Sequence, residues 1–155
     1  MRSGRGRSAH RQQATLRIDP DPDEPWWTIR HARTGDQPAW KATFDAHTPV
    51  EIIAAFTDAL TNLRALHAAT PPTAPLRQAG WRDDPHKSGP VSPDGVVRVE
   101  YVTEHGFDHW FITVADGRTP GDELWGACLD GATPPHLVAA LTGALTDAAP
   151  VIRDP

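Results

Sequence analysis

WKATFDAHTPVEIIAAFTDALTNLRAL, residues 40–66, decides how this chain folds, because the chain states it twice. At residues 125–151 stands WGACLDGATPPHLVAALTGALTDAAPV. A shift of 85 positions, without a gap, lays Trp40 on Trp125, Asp45 on Asp130 and Thr48-Pro49 on Thr133-Pro134. Over residues 26–61 against 111–146, 14 of 36 positions are identical, more than two unrelated helices of similar composition share. Self-similarity at a fixed offset is the signature of an internal duplication.

Each copy reads as a strand, a sharp turn and a helix. Trp40, Ala42 and Phe44 alternate with Lys41 and Thr43, the period of a half-buried strand. Thr48 is expected to be the N-cap of the helix, its hydroxyl accepting a bond from an unpaired amide of the first turn. Pro49 then takes the first helical position, where its missing N–H costs nothing, and Glu51 completes a capping box. Beyond it Ile52, Ile53, Phe56, Leu60, Leu63 and Leu66 share one face, so the helix is expected to reach residues 67–69 and stop before Pro71-Pro72. In the second copy Thr133-Pro134 start the helix, His136 stands in place of Glu51, and Leu137, Val138, Leu141 and Leu145 line the buried face.

Upstream of each core stretch lie more strands. Residues 26–31 are aromatic and β-branched, and a loop with Gly35 and Pro38 turns them back into the strand beginning near Trp40. In the second copy Val97, Val99 and Tyr101 alternate, Glu104-His105-Gly106-Phe107-Asp108 turns the chain, and Trp110, Ile112 and Val114 return on one face. The expected fold class is α+β: two tandem β-β-β-α units forming an antiparallel sheet backed by two helices, an internal pseudo-two-fold duplication. One unit alone has an apolar helix stripe and a sheet face with little to bury them against, and a second unit closes that surface. The boundaries are a disordered basic arm at 1–13, a first unit at 14–69, a Pro-rich linker at 70–91 with Trp81 as its one large anchor, and a second unit at 92–153.

Composition narrows the function. The chain has 155 residues, six Trp and a hydrophobic content of 39%, enough for a packed core. No apolar run approaches the ~20 residues of a membrane span, and the N-terminus lacks the apolar middle of a secretory signal. A cytoplasmic location is therefore expected, with no membrane partner. Cys128 is the single cysteine, so neither an internal disulfide nor a thiolate metal cage is available. The net charge of −5 hides an asymmetry. Residues 1–18 hold five of the fifteen basic residues, Arg2, Arg5, Arg7, Arg11 and Arg17, and no acid. That leaves ten Lys and Arg against twenty Asp and Glu in the remainder, a formal charge of −10 there.

The pattern Trp-x-Ala-x-Phe/Leu-Asp-x-x-Thr-Pro, followed by an Ala-rich helix ending Ala-Leu-Thr, occurs at 40–61 and 125–146. Together with Gly80-Trp81 and Ser92-Pro93-Asp94, it resembles the SPDY domain, a bacterial family of unknown function that usually occurs as two tandem copies. The resemblance spans roughly residues 14–153 and rests on spacing, with no catalytic motif. Gly95 departs from it, standing where the family's name-giving tetrad has Tyr. The resemblance implies the tandem architecture and no established activity, cofactor or metal.

Candidate chemistry is sparse. Glu104, His105, Asp108 and His109 are the densest set of potential metal ligands, but they sit at a hairpin tip, where a His pair four apart need not converge as it does on a helix. Asp83, Asp84 and His86 fall in the Pro-rich linker, where solvated polar residues are the expected reading over an acid–base pair. Asp45 and Asp130 recur before the helix starts and read as turn formers. Arg33-Thr34 and Arg118-Thr119 recur in the loop between two strands, where packing does not demand repetition, so Arg33 and Arg118 are candidate interaction residues beside Arg2, Arg5, Arg7 and Arg11. Trp40, Trp125, Thr48, Pro49, Thr133, Pro134, Phe56 and Leu141 are read as structural. Cys128 has no cationic neighbour in sequence and reads as an inert thiol. There is no nucleophile elbow, phosphate-cradling Gly-rich loop or His-Glu-x-x-His stretch. The expectation is a non-catalytic interaction module, not an enzyme, that meets another protein. The competing class is a nucleic-acid-associated protein using the Arg-rich arm.

Overall fold

Strand β3 (Trp40–Phe44) lies in the middle of the molecule, hydrogen-bonded on both sides. A computed structural model describes residues 14–18, 27–61, 71–86, 89–115 and 123–146. Within them the elements run β1 (Ala14–Ile18), β2 (Trp27–His31), β3, α1 (Val50–Thr61), α2 (Ala74–Gln78), β4 (Arg82–Asp83), β5 (Pro90–Val91), β6 (Val97–Glu104), β7 (Phe107–Ala115), β8 (Glu123–Asp130) and α3 (Pro135–Leu145). The strands form one antiparallel sheet in the order β1-β2-β3-β8-β7-β6-β5-β4, and the fold is α+β.

The join between the two halves is the β3–β8 pair. Thr43 faces Cys128, with Ala42 opposite Leu129 and Phe44 opposite Ala127. Thr43 and Cys128 are positions that the 85-residue shift superposes, and their neighbours face each other crosswise. Alternation then does the sorting. Trp40, Ala42, Phe44, Val97, Val99, Ile112, Val114, Trp125, Ala127 and Leu129 are all buried on one face. Ile52, Ile53 and Phe56 of α1 and Leu137, Leu141 and Leu145 of α3 complete the same core. Phe56 meets Trp40 and Phe44 edge-on, with ring centroids at 5.8 and 5.7 Å, a favoured aromatic geometry. Helices α1 and α3 also pack on each other, so both apolar stripes are closed.

The described residues of the segment between the two units carry elements of their own. Pro75 sits in the first turn of α2, and Gly80, at φ +89, follows its C-terminal end. The Trp81 N–H donates to the Leu76 carbonyl and the Gly80 N–H to that of Arg77, both at 3.1 Å, the two bonds of a Schellman cap. Leu76 and Trp81 are buried together in the core, the apolar contact that goes with this cap. The chain continues into β4 and β5, so the sheet extends two strands into the segment between the units. Gly89 lies so close to β6 that an added Cβ would collide with the Val99 carbonyl. On the far side of β6 the hairpin turns through His105 (φ +52) and Gly106 (φ +81), the paired left-handed residues of a type I′ turn.

One local expectation is corrected. Thr48 and Thr133 do not cap their helices through their hydroxyls. Helices α1 and α3 begin at Val50 and Pro135, so Pro49 and Pro134 take the flanking position. The carbonyls of Pro49 and Pro134 each accept from the amides three and four residues on, at 3.0 and 3.4 Å in α1 and 3.0 and 3.3 Å in α3. Each threonine sits one residue too early, and its side chain turns inward. Both hydroxyls are buried and find no hydrogen-bond partner among the described residues. The continuation of α1 past Thr61, with Leu63 and Leu66, lies outside the described residues.

Candidate functional site

The helices cover one face of the sheet, and the residues of opposite parity form a second face that none of the described helices covers. An antiparallel sheet can leave one side to water, and such a face is normally polar. Here it is mixed. Arg30 and Lys41 are exposed on β2 and β3, and Thr28 and Thr43 beside them are half-buried. Cys128 and Asp130 follow on β8, His109 and Phe111 on β7, and Arg98, Glu100, Val102 and Glu104 on β6. Phe111 lies between Cys128 and Glu100 in register, and Val102 lies opposite His109. Phe107, 69% exposed, extends the same stripe to the hairpin tip.

A polar knot holds the centre of this face. The Lys41 backbone N–H donates to Asp130 Oδ2 at 2.9 Å, tying β3 to β8. Thr43 Oγ1 donates to the Cys128 carbonyl at 3.3 Å across the same pair. His109 Nδ1 stands 3.9 Å from Asp130 Oδ1, beyond hydrogen-bond length, and is buried without a partner among the described residues. Cys128, His109 and Asp130 thus share one face of two adjacent strands, the residue types of a nucleophilic site. The electrostatics oppose that use. Burial pushes the Cys128 thiol up, Asp130 and Glu104 push it further, and Lys41 offsets only part. A protonated thiol is a poor nucleophile at neutral pH.

The remaining candidates disperse. Glu104 and His109 lie on the open face and Asp108 on the other, where it accepts a hydrogen bond from Thr103 Oγ1. His105 projects from the turn, its side chain 87% exposed. Among the described residues no three His, Cys, Asp or Glu side chains gather as metal ligands would. Asp83 forms a two-bond pair with Arg77 at 3.0 and 3.1 Å, half-exposed on both sides, where water and salt screen most of its attraction. Asp84 accepts the His86 N–H at 2.8 Å and Asp45 accepts that of His47 at 2.8 Å, both local turn bonds. Asp130, the counterpart of Asp45, reaches across to Lys41 instead.

Trp40 and Trp125 are core residues, 4% and 2% exposed, as are Phe56 and Leu141 at 0%. His31 stacks on Trp40 at 5.4 Å. Arg33 is exposed beside the tight turn closed by the Thr34 and Gln37 backbone bonds. Arg118 and the arm residues Arg2, Arg5, Arg7 and Arg11 lie outside the described residues. Sequence reasoning missed Phe111 and Val102. The signal was present, since placing Trp110, Ile112 and Val114 inward puts Phe111 outward on a strand that carries aromatics at both parities.

The family model for SPDY, a domain of unknown function (DUF317), matches residues 10–66 and again residues 91–151. The first match encloses β1 to α1 and the second, beginning within β5, encloses β6 to α3, with α2 and β4 between them. Comparison with curated proteins and with solved structures gives no significant match.

Proposed function

Since the chain belongs to the SPDY family and carries two tandem copies of its domain, we propose that it is a non-catalytic interaction module of the cytoplasm whose partner is another protein. Thr43 and Cys128, which the 85-residue shift superposes, face each other where the two copies meet. Their fusion through β3 and β8 makes a surface wider than either copy alone. The supporting observation is the sheet face that none of the described helices covers, where half-buried Phe111, Val102 and Cys128 lie within a rim of Arg30, Lys41, Glu100 and Glu104. An apolar centre inside a charged rim is the anatomy of a protein-binding patch. Among the described residues of this face the thiol of Cys128 is pushed up by burial and by Asp130, which works against its use as a nucleophile.

The test compares the full chain with its Phe111→Glu variant as bait in the native host. A protein retained by the first and lost by the second, with cross-links mapping to β6–β8, supports the reading. Equal retention by both baits removes the open face from the interaction.

A further inference from the structure

The helix-covered face of the sheet is buried along Val97, Val99, Ile112 and Val114, and it opens towards the β6–β7 turn. There Tyr101 and Trp110 face each other across the two strands, with Thr103 and Asp108 as the next pair on that face. Tyr101 is 41% exposed, Thr103 and Asp108 are exposed, and Trp110 is half-buried against the core. Cross-strand aromatic pairs commonly serve packing. This one leaves much of the tyrosine in solvent and has a carboxylate at its side. That carboxylate is held in place: Asp108 accepts from Thr103 Oγ1, its carbonyl accepts the Gly131 N–H at 2.8 Å, and a Cβ on Gly131 would collide with it. Partial burial and then the Asp108 charge beside its hydroxyl push the Tyr101 phenol up. The chain puts no fixed cation here. The helix side of β6, β7 and β8 carries no Lys or Arg, nor does α3, whose His136 is shifted down by burial.

We propose that Tyr101, Trp110 and Asp108 form a binding site for a methylated ammonium cation, of the kind carried by choline or by a trimethylated lysine side chain. Aromatic faces attract a cation through the ring quadrupole, and rings beside a carboxylate are the parts of an aromatic cage. The ring geometry favours a round ligand. The two centroids lie 4.7 Å apart with the planes tilted by 59°. Perpendiculars to two such rings, meeting symmetrically, cross ~4.8 Å from both centroids, within the ~6 Å reach of a cation–π contact. A round cation at that point touches both faces, whereas a planar guanidinium lies flat on only one of them. The methyl groups then meet the rings, and Asp108 supplies the opposing charge.

The site lies on the opposite side of the sheet from the open face and stands whether or not that face docks a protein. A pair of rings and a solvent-exposed carboxylate make a shallow site, so the isolated cation binds in the millimolar range. Salt weakens the contribution of Asp108 more than that of the rings, because exposed charges are screened.

The test is a titration of the isotope-labelled full chain with choline chloride and with a short peptide carrying trimethyl-lysine, read by nuclear magnetic resonance at the Trp110 indole N–H, whose signal the Trp110→Phe variant assigns. The expected result is a saturable shift with both ligands and none with sodium chloride at the same concentration. Dimethylbutanol, the uncharged carbon isostere of choline, binds about tenfold more weakly, because it has the methyl groups without the charge. Tyr101→Leu and Asp108→Asn each weaken choline binding by about tenfold and leave the melting temperature and the other indole signals in place, both positions being exposed. A peptide that binds about tenfold more tightly than choline assigns the cation to a protein side chain, and equal affinity assigns it to the free molecule. No saturable shift, an isostere that binds as well as choline, or a shift undiminished in both Tyr101→Leu and Asp108→Asn overturns the proposal.

Discussion

Replacing Thr48 by valine is expected to stabilise the protein, although the Thr-Pro sequence makes Thr48 look like a helix cap. The Thr48 hydroxyl is buried and unpaired among the described residues, and Thr133 at the matching position is in the same state. An unsatisfied buried hydroxyl carries a desolvation cost of ~1–3 kcal/mol. Valine keeps the branched shape and the preferred rotamer while removing that cost, so each of Thr48→Val and Thr133→Val should gain ~1 kcal/mol. With a urea dependence of ~1–3 kcal/mol per molar, the midpoint rises by ~0.3–1 M per substitution. The measurement is equilibrium urea unfolding followed by circular dichroism. If the hydroxyls cap the helices instead, both substitutions destabilise by ~1 kcal/mol, as loss of an N-cap does. A fall in both midpoints therefore refutes the inward orientation of these side chains.

Phe56→Ala should cost ~3–5 kcal/mol, since a fully buried ring and two edge-on aromatic contacts are lost together; an unfolding midpoint within error of the parent would remove Phe56 from the core. Gly95 has φ +76 at the turn before β6, so Gly95→Ala should destabilise by ~1 kcal/mol from backbone strain alone, there being open space around it, and thermal melting reads this directly. Burial raises the Cys128 thiol, so its thiolate forms only above the usual thiol range; its alkylation should be slow at neutral pH and keep accelerating past that range, and a rate already level at mildly alkaline pH would contradict this. Deleting residues 1–13 should leave the melting temperature unchanged. If the chain binds nucleic acid, that deletion should abolish a binding that weakens steeply with salt, whereas binding that survives the deletion would locate it on the acidic remainder.

Much of the fold was legible because β3 and β8 alternate cleanly and α1 and α3 carry continuous apolar stripes. Trp40, Ala42 and Phe44 could be assigned to the core from period alone, and so could Leu137, Leu141 and Leu145. The segment between the copies was less legible. Strands of two residues have no period, and α2 owes its position to Pro75, the Gly80 cap and the burial of Leu76 and Trp81. The helix starts were misread by one position. Thr-Pro satisfies the local rule for a cap, but with each helix beginning a residue later the preceding threonine faces inward. The open face could be read only by parity. Alternation puts Lys41 and Thr43 opposite Trp40, while the strand order β3-β8-β7-β6 is what brings Lys41 beside Asp130 and Phe111 beside Cys128. That order comes from contacts between distant parts of the chain, which local periodicity does not encode.

The account depends most on the pairing of β3 with β8, since that pair joins the two copies into one sheet and creates the open face. Nuclear Overhauser contacts across the pair test it directly. Backbone contacts are expected between Thr43 and Cys128, Ala42 and Leu129, and Phe44 and Ala127. A spectrum in which β2 contacts β3 and β7 contacts β8 without any contact between β3 and β8 would contradict the account.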